Sequence, residues 1–462
     1  MKTDEHTPSA PSYGAGLKRG ALAYRRKLSH YLNLLIPSSA SVLEIGCGSG
    51  VLLSLLKARR KTGIEISEDL ARQARITNPG ADIHNADACM IEATNSHDYI
   101  VIADTLNQCA DAQALLEHCQ RFASGKTRLI VTTYNGLWRP ILSLLTWLGL
   151  RNRHPLLNWL APEDVRNLTE LAGWERIKSI PRILIPVGIP VLSNLLNRWI
   201  APLVPFLCLA NIAVFKKAGA RLQDASVSVV IPARNEAGNI EDAIRRIPPL
   251  ASDIEIIFIE GHSSDDTWER IQKVQAIHPD KKIQIAQQTG RGKGDAVRLG
   301  FSMATGDILM ILDADLTMPP EDLPKFYDAV ASGRCDFANG CRLVYPMEKE
   351  AMQFLNLCAN KLFGILFSWL LGQHVKDTLC GTKVLTRSNY EAIAANRAYF
   401  GDFDPFGDFD LLFGADKLNL KIRDIPVRYR ERTYGSTNIQ RFRHGILLFR
   451  MVGFAARKLR FV

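Results

Sequence analysis

The stretch MILDADLTMPP (Met310–Pro320) places two aspartates, Asp313 and Asp315, after an apolar run and ahead of a Thr-Met-Pro-Pro turn. A short apolar run without alternation suits a strand buried on both faces, as in a parallel sheet. Such sheets take their ligands in the crevice beyond the carboxyl ends of the strands. Side chains two apart on an extended chain point the same way. Asp313 and Asp315 are therefore expected side by side at an open edge, where they repel unless a cation lies between them. Their hard oxygens suit Mg²⁺ or Mn²⁺ shared with substrate phosphates.

Similar apolar runs alternate with helical stretches on either side of a polar segment. The later series is SVSVVIPARNE (Ser226–Glu236), IEIIFIEG (Ile254–Gly261), KIQIAQQ (Lys282–Gln288) and DILMILDAD (Asp307–Asp315). The earlier one is SVLEIGCGSG (Ser41–Gly50), KTGIEIS (Lys61–Ser67), DYIVIAD (Asp98–Asp104) and TRLIVTTY (Thr127–Tyr134). Alternation of this kind predicts an α/β protein with two doubly wound domains, and 462 residues are too many for one ordinary core. KKAGARLQDA (Lys216–Ala225) reads as a polar linker. The expected organisation is a flexible tail over 1–16, a first domain over 17–217, a linker over 218–225 and a second domain over 226–462.

The net charge of +10 is uneven. From Lys421 to Val462 there are eleven Lys and Arg against Asp424 and Glu431, a basic segment that suits phosphate-rich ligands or an anionic membrane. Nine cysteines without a Cys-x-x-Cys pair indicate neither a zinc knuckle nor a disulfide framework. The polar start lacks a signal core, and prolines, asparagines and Arg198 interrupt the apolar stretch Arg182–Phe215. A cytoplasmic location, with peripheral contact on the cytoplasmic face of the membrane, is expected.

In the first series, LEIGCGSG carries Gly46, Gly48 and Gly50 after a strand. A glycine turn there lets a ligand approach the backbone closely. With Glu44 it resembles motif I of the class I S-adenosylmethionine-dependent methyltransferases, which have a Rossmann-like fold. The resemblance implies cofactor contacts at Glu44, Gly46, Gly48 and Gly50. It also implies Glu65 on the ribose hydroxyls, Asp87 on the adenine amine and Asp104 facing the methyl donor, with Asn107 lining the pocket.

The second series resembles the family 2 glycosyltransferases of GT-A fold, and within them the dolichol- or polyprenyl-phosphate sugar synthases. VVIPARNEAGNI implies donor contacts at Pro232, Arg234 and Glu236. In IEGHSSDDT, Glu260 and Gly261 replace the usual pair of aspartates, and His262 reads as a polar turn residue. GRGKGDAVRLG offers Arg291 and Lys293 to a diphosphate, with Asp313, Ala314 and Asp315 as the metal motif. NGCRLV gives Arg342, and DTLCGTKVL gives Asp377, Gly381 and Lys383 on the acceptor side. Asp410 matches the family's acidic position, with Asp408 two residues before it, and Arg432 falls in a phosphate-closing loop. The apolar helix expected over Leu357–Gln373 suits the core and a membrane interface equally.

Two functional readings stand open. One is a fused enzyme that transfers a sugar from a nucleotide sugar to a polyprenyl-phosphate or glycan acceptor and methylates with S-adenosylmethionine. The other is a glycosyltransferase whose N-terminal half binds the cofactor or acts as a scaffold. A nucleic-acid partner is not expected, because the tail's arginines fall inside the closing-loop motif.

Overall fold

The computed structural model describes residues 19–462 apart from 94, 151–158, 190, 220, 346–353, 400–406, 433 and 435–440, and apart from the side chains of 354–358, 408 and 441–445. Two compact units divide it, Met1–Lys217 and Ala218–Val462.

The first unit holds β1 (Ser41–Ile45), β2 (Arg60–Glu65), β3 (Asp82–Asn85), β4 (His97–Ala103), β5 (Ala123–Tyr134), β6 (Trp174–Arg182) and β7 (Ala210–Lys217). Their order is β3-β2-β1-β4-β5-β7-β6, parallel except for β7, which runs antiparallel to both neighbours. This is the Rossmann-like methyltransferase arrangement. Its strand order reverses beside β1, where a ligand crevice opens. Trp174, fully buried, donates its indole N–H to the Leu116 carbonyl at 2.9 Å, so a large apolar ring enters the core without an unmet donor. Lys216 and Lys217 end β7, with Lys216 opposite Arg128 and Glu175.

The second unit holds β8 (Val227–Ala233), β9 (Ile254–Glu260), β10 (Lys282–Gln287), β11 (Ile308–Ile311), β12 (Phe337–Cys341), β13 (Lys383–Thr386) and β14 (Ile422–Pro426). They are ordered β10-β9-β8-β11-β13-β12-β14, with β13 antiparallel, a GT-A arrangement. Period-two packing sends Val227, Val229 and Ile231 into one apolar layer with Met310. Val230, Leu309 and Ile311 enter the layer on the opposite face. Both faces being covered is the reason these strands read as unbroken apolar runs.

The helix Phe354–Leu371 lies in the second layer, with Phe363, Phe367 and Leu370 buried and Ile365 exposed. The Phe367 ring stacks on Phe413 at 5.3 Å and tilts on Phe409 at 5.2 Å. That settles this helix's described apolar face on the core. Among the described residues eight cysteines are free thiols, six of them buried. No helix of the described residues is long and apolar enough to cross a membrane. Phe367→Ala is expected to cost about 3–5 kcal/mol, read as a lower denaturation midpoint for the second unit.

Candidate active sites

In the first unit, Gly46, Gly48 and Gly50 all have positive φ (69°, 57° and 75°), where glycine alone avoids strain. Their surroundings differ. A Cβ on Gly46 would strike Thr105 and one on Gly50 would strike Asn78, whereas one on Gly48 would meet open space. Packing therefore explains the outer two glycines, and the middle one faces the crevice. Glu65 ends β2 with Oε2 accepting the Gly48 N–H at 2.8 Å and Oε1 accepting the Ser67 N–H at 3.0 Å. It fastens the loop and keeps further acceptor lone pairs. Asp87 is exposed and accepts the Cys89 N–H at 2.8 Å.

Asp104 lies deeper than its sequence position suggests. It is 1% exposed, with φ 61°. Oδ1 accepts from the Thr132 hydroxyl at 2.7 Å and the Tyr24 hydroxyl at 3.2 Å, while Arg25 sits 3.6 Å from Oδ2. Asn107 is also 1% exposed. Glu44 is buried, and its Oε2 meets no hydrogen-bond partner among the described residues. Burial pushes its carboxyl up to about 8. Arg25 opposes that shift, and the neighbouring Glu65 and Asp104 add to it. Tyr24, Arg25 and Thr132 carry no motif signal, because they reach the site from a helix and a strand distant in sequence.

In the second unit, Asp313 and Asp315 follow β11, 30% and 16% exposed. Lys293 Nζ lies 2.5 Å from Asp313 Oδ1, and Arg432 Nη2 donates to Asp315 Oδ2 at 2.6 Å. Arg432 Nη1 also donates to Glu236 Oε1 at 2.8 Å. Burial raises the Glu236 carboxyl, and Arg432 opposes the shift. Asp315 Oδ1 accepts from the Thr317 N–H and hydroxyl at 3.1 and 2.8 Å. Lys293 opens a helix whose N-cap, Gly292, has φ 89°. A Cβ on Gly381 would overlap both the Asp313 carboxylate and the Lys293 ammonium.

Two oxygen-bearing side chains fit a Mg²⁺ or Mn²⁺ completed by substrate phosphates, in place of an all-protein cage. Among the described residues no three His, Cys, Asp or Glu side chains gather as a metal cluster.

The other expected residues divide by burial. Arg234 and Arg291 are exposed, Pro232 is half-buried in β8, and Ala314 is buried. Asp377 is fully buried and grips Arg342 through Nε at 2.7 Å and Nη2 at 2.9 Å. The Arg342 guanidinium lies over the Tyr429 ring at 5.1 Å. Burial alone would raise Asp377, but Arg342 outweighs it and holds the carboxyl below its usual range. Lys383, expected on the acceptor side, is fully buried with its ammonium on the Cys380 carbonyl, so it braces this loop.

Glu260 is 2% exposed and accepts from the Ser263 N–H at 2.5 Å and the Gln287 amide at 3.0 Å. It borders a pocket of about 340 Å³ shared with His262, Ser263, Asp265, Trp268, Glu269 and Gln287. His262 has φ 57° and its Nε2 lies 3.1 Å from the Gly290 carbonyl, as a loop-joining turn residue would. Asp410 pairs with Arg397 at 2.7 Å. The side chain of Asp408 lies outside the described residues.

Residues 19–179 match the family model described as a methyltransferase domain, and residues 228–393 match Glycosyl transferase family 2. A dolichol-phosphate mannosyltransferase of Pyrococcus furiosus is 28% identical over 250 residues, 51% of this chain and 67% of that protein. An undecaprenyl-phosphate 4-deoxy-4-formamido-L-arabinose transferase of Aeromonas hydrophila is 33% identical over 172 residues, 36% of this chain and 51% of that protein. A solved S-adenosylmethionine-dependent methyltransferase of Thermotoga maritima superposes with TM-score 0.33 at 20% identity, over 43% of this chain and 90% of its own.

Glu44 is expected to make stability depend on pH. Its folded carboxyl titrates near 8 against an ordinary 4.5. The stabilisation is complete below the ordinary value and is lost as pH rises from there toward 8, by about 1.4 kcal/mol for each pH unit in between. Denaturation titrations of Glu44→Gln should lack that decline. Gly381→Ala should lower kcat/KM for sugar transfer by about tenfold or more by parting Asp313 from Lys293, with little change in thermal midpoint.

Proposed function

We propose that this chain, which joins a methyltransferase domain to a glycosyl transferase family 2 domain, is a bifunctional enzyme. Its second unit moves a sugar, with inversion, from a nucleotide sugar to a polyprenyl-phosphate or glycan acceptor. Its first unit methylates with S-adenosylmethionine. The observation that carries the reading is the set of acids and cations beyond β11: Asp313 and Asp315, each faced by a cation, with Gly381 leaving them room.

Mg²⁺ or Mn²⁺ held by Asp313 and Asp315 would supply positive charge to the departing diphosphate. Lys293 and Arg432, the partners of those acids, would hold the diphosphate oxygens. Arg234 and Arg291, both exposed, add to that positive field. The pocket beside Glu260 offers Trp268 as an apolar wall and amide and carboxylate groups as polar partners, which suits a nucleobase.

One observation favours a phosphate acceptor over a hydroxyl. A hydroxyl needs a general base, and among the described acids Asp410 is engaged by Arg397 and Asp377 by Arg342. A lipid monophosphate is largely dianionic at neutral pH, its second pKa being about 6, and needs no base. In the first unit, Gly48 and Glu65 would hold the methyl donor, with Asp87 at its adenine. The contribution there is alignment of the nucleophile with the methyl group.

The test combines a panel of nucleotide sugars, polyprenyl phosphate and labelled methyl donor, reading both label transfers. Asp315→Asn should reduce sugar transfer by about a hundredfold or more, and a chelator should abolish it. Transfer that persists under both conditions overturns the reading. Calorimetry should detect S-adenosylmethionine binding that Glu65→Ala loses. Absence of binding by the unaltered chain would instead favour a scaffolding first unit.

A further inference from the structure

The first unit keeps an apolar face in water. Leu144 and Trp147, both on the helix Arg139–Trp147, are 54% and 78% exposed, and that helix buries only Leu142. Val191, Leu203 and Phe206 are 79%, 60% and 63% exposed. The two stretches adjoin: the Trp138 indole donates to the Leu207 carbonyl at 2.8 Å, and the Asn135 amide to the Phe206 carbonyl at 2.7 Å. Contiguous apolar surface of this kind marks a contact site, where scattered single residues would not.

Charge indicates the occupant. Residues 118–162 and 176–217 contain no Asp or Glu, and their described cations outside the core are Arg121, Lys126, Arg139, Arg176, Arg198 and Lys217, with Arg128, Lys178, Arg182 and Lys216 buried. Acids make up 47 of 462 residues overall, so both segments are depleted of them. Cations also stand among the aromatics, Arg139 over Trp159 at 5.5 Å and Arg198 over Trp199 at 5.6 Å. A second copy of the same face would set cations against cations. An anionic bilayer surface satisfies both halves of the pattern, taking apolar and tryptophan side chains at the headgroup boundary and arginines at its phosphates.

We propose that this face of the methyltransferase unit docks on an anionic phospholipid surface, lying in the interface without crossing it. The proposal rests on neither transfer reaction. The full chain should float with vesicles of phosphatidylcholine and phosphatidylglycerol in about equal parts, and added salt should release it. Leu144→Glu with Trp147→Glu should weaken partition by about tenfold or more, with an unchanged circular dichroism spectrum and thermal midpoint. Brominated acyl chains should quench tryptophan emission of the unaltered chain, and Trp147→Phe should relieve part of that quenching. Absence of flotation, flotation undiminished in the double variant, or equal binding to pure phosphatidylcholine overturns the proposal. So does a dimer in light scattering that the double variant turns into monomers, because the face would then belong to a second copy.

Discussion

The second unit depends on how it tolerates two carboxylates standing together at the mouth of a parallel sheet. Asp313 and Asp315 would repel in a partly dry crevice. The chain answers with Lys293, twenty residues before Asp313, and with Arg432, more than a hundred residues after Asp315. The local backbone is shaped around that answer. Gly292 turns the chain into the helix that presents Lys293, and Gly381 vacates the volume the ion pair fills. The arginine also bridges to Glu236, so three acids share two cations before any ligand arrives.

The first unit meets a similar crowd of acids by another route. Glu44, Glu65 and Asp104 influence one another, and the cation facing Asp104 is Arg25. Backbone N–H groups at Gly48 and Ser67 hold Glu65, while hydroxyls from Tyr24 and Thr132 hold Asp104. Glu44 is left in a dry position, where the neutral acid is the cheaper form. One sheet meets its acids with cations, and the other adds hydroxyls, backbone N–H groups and a retained proton to its single arginine.

Much of the architecture was legible because both sheets are covered on two faces. Strands such as Val227–Ala233 and Ile308–Ile311 appear as solid apolar runs, and glycine-bearing turns follow Ile45 and precede Lys293. Less legible was what depends on distant partners. The tie between Asp315 and Arg432 spans 117 positions, and that between Tyr24 and Asp104 spans 80. Lys383 resembled a ligand contact because it stands in the DTLCGTKVL segment, whereas in the fold it is fully buried with its ammonium on the Cys380 carbonyl.

The thiols buried beside these sheets have a practical consequence. Burial pushes the sulfhydryls of Cys47 and Cys119 upward in one unit, and those of Cys341 and Cys380 in the other. Without thiolate character or access they are poor nucleophiles. Alkylating reagents must therefore wait for each unit to breathe open, which gives every sheet its own chemical clock for measuring how often it does so.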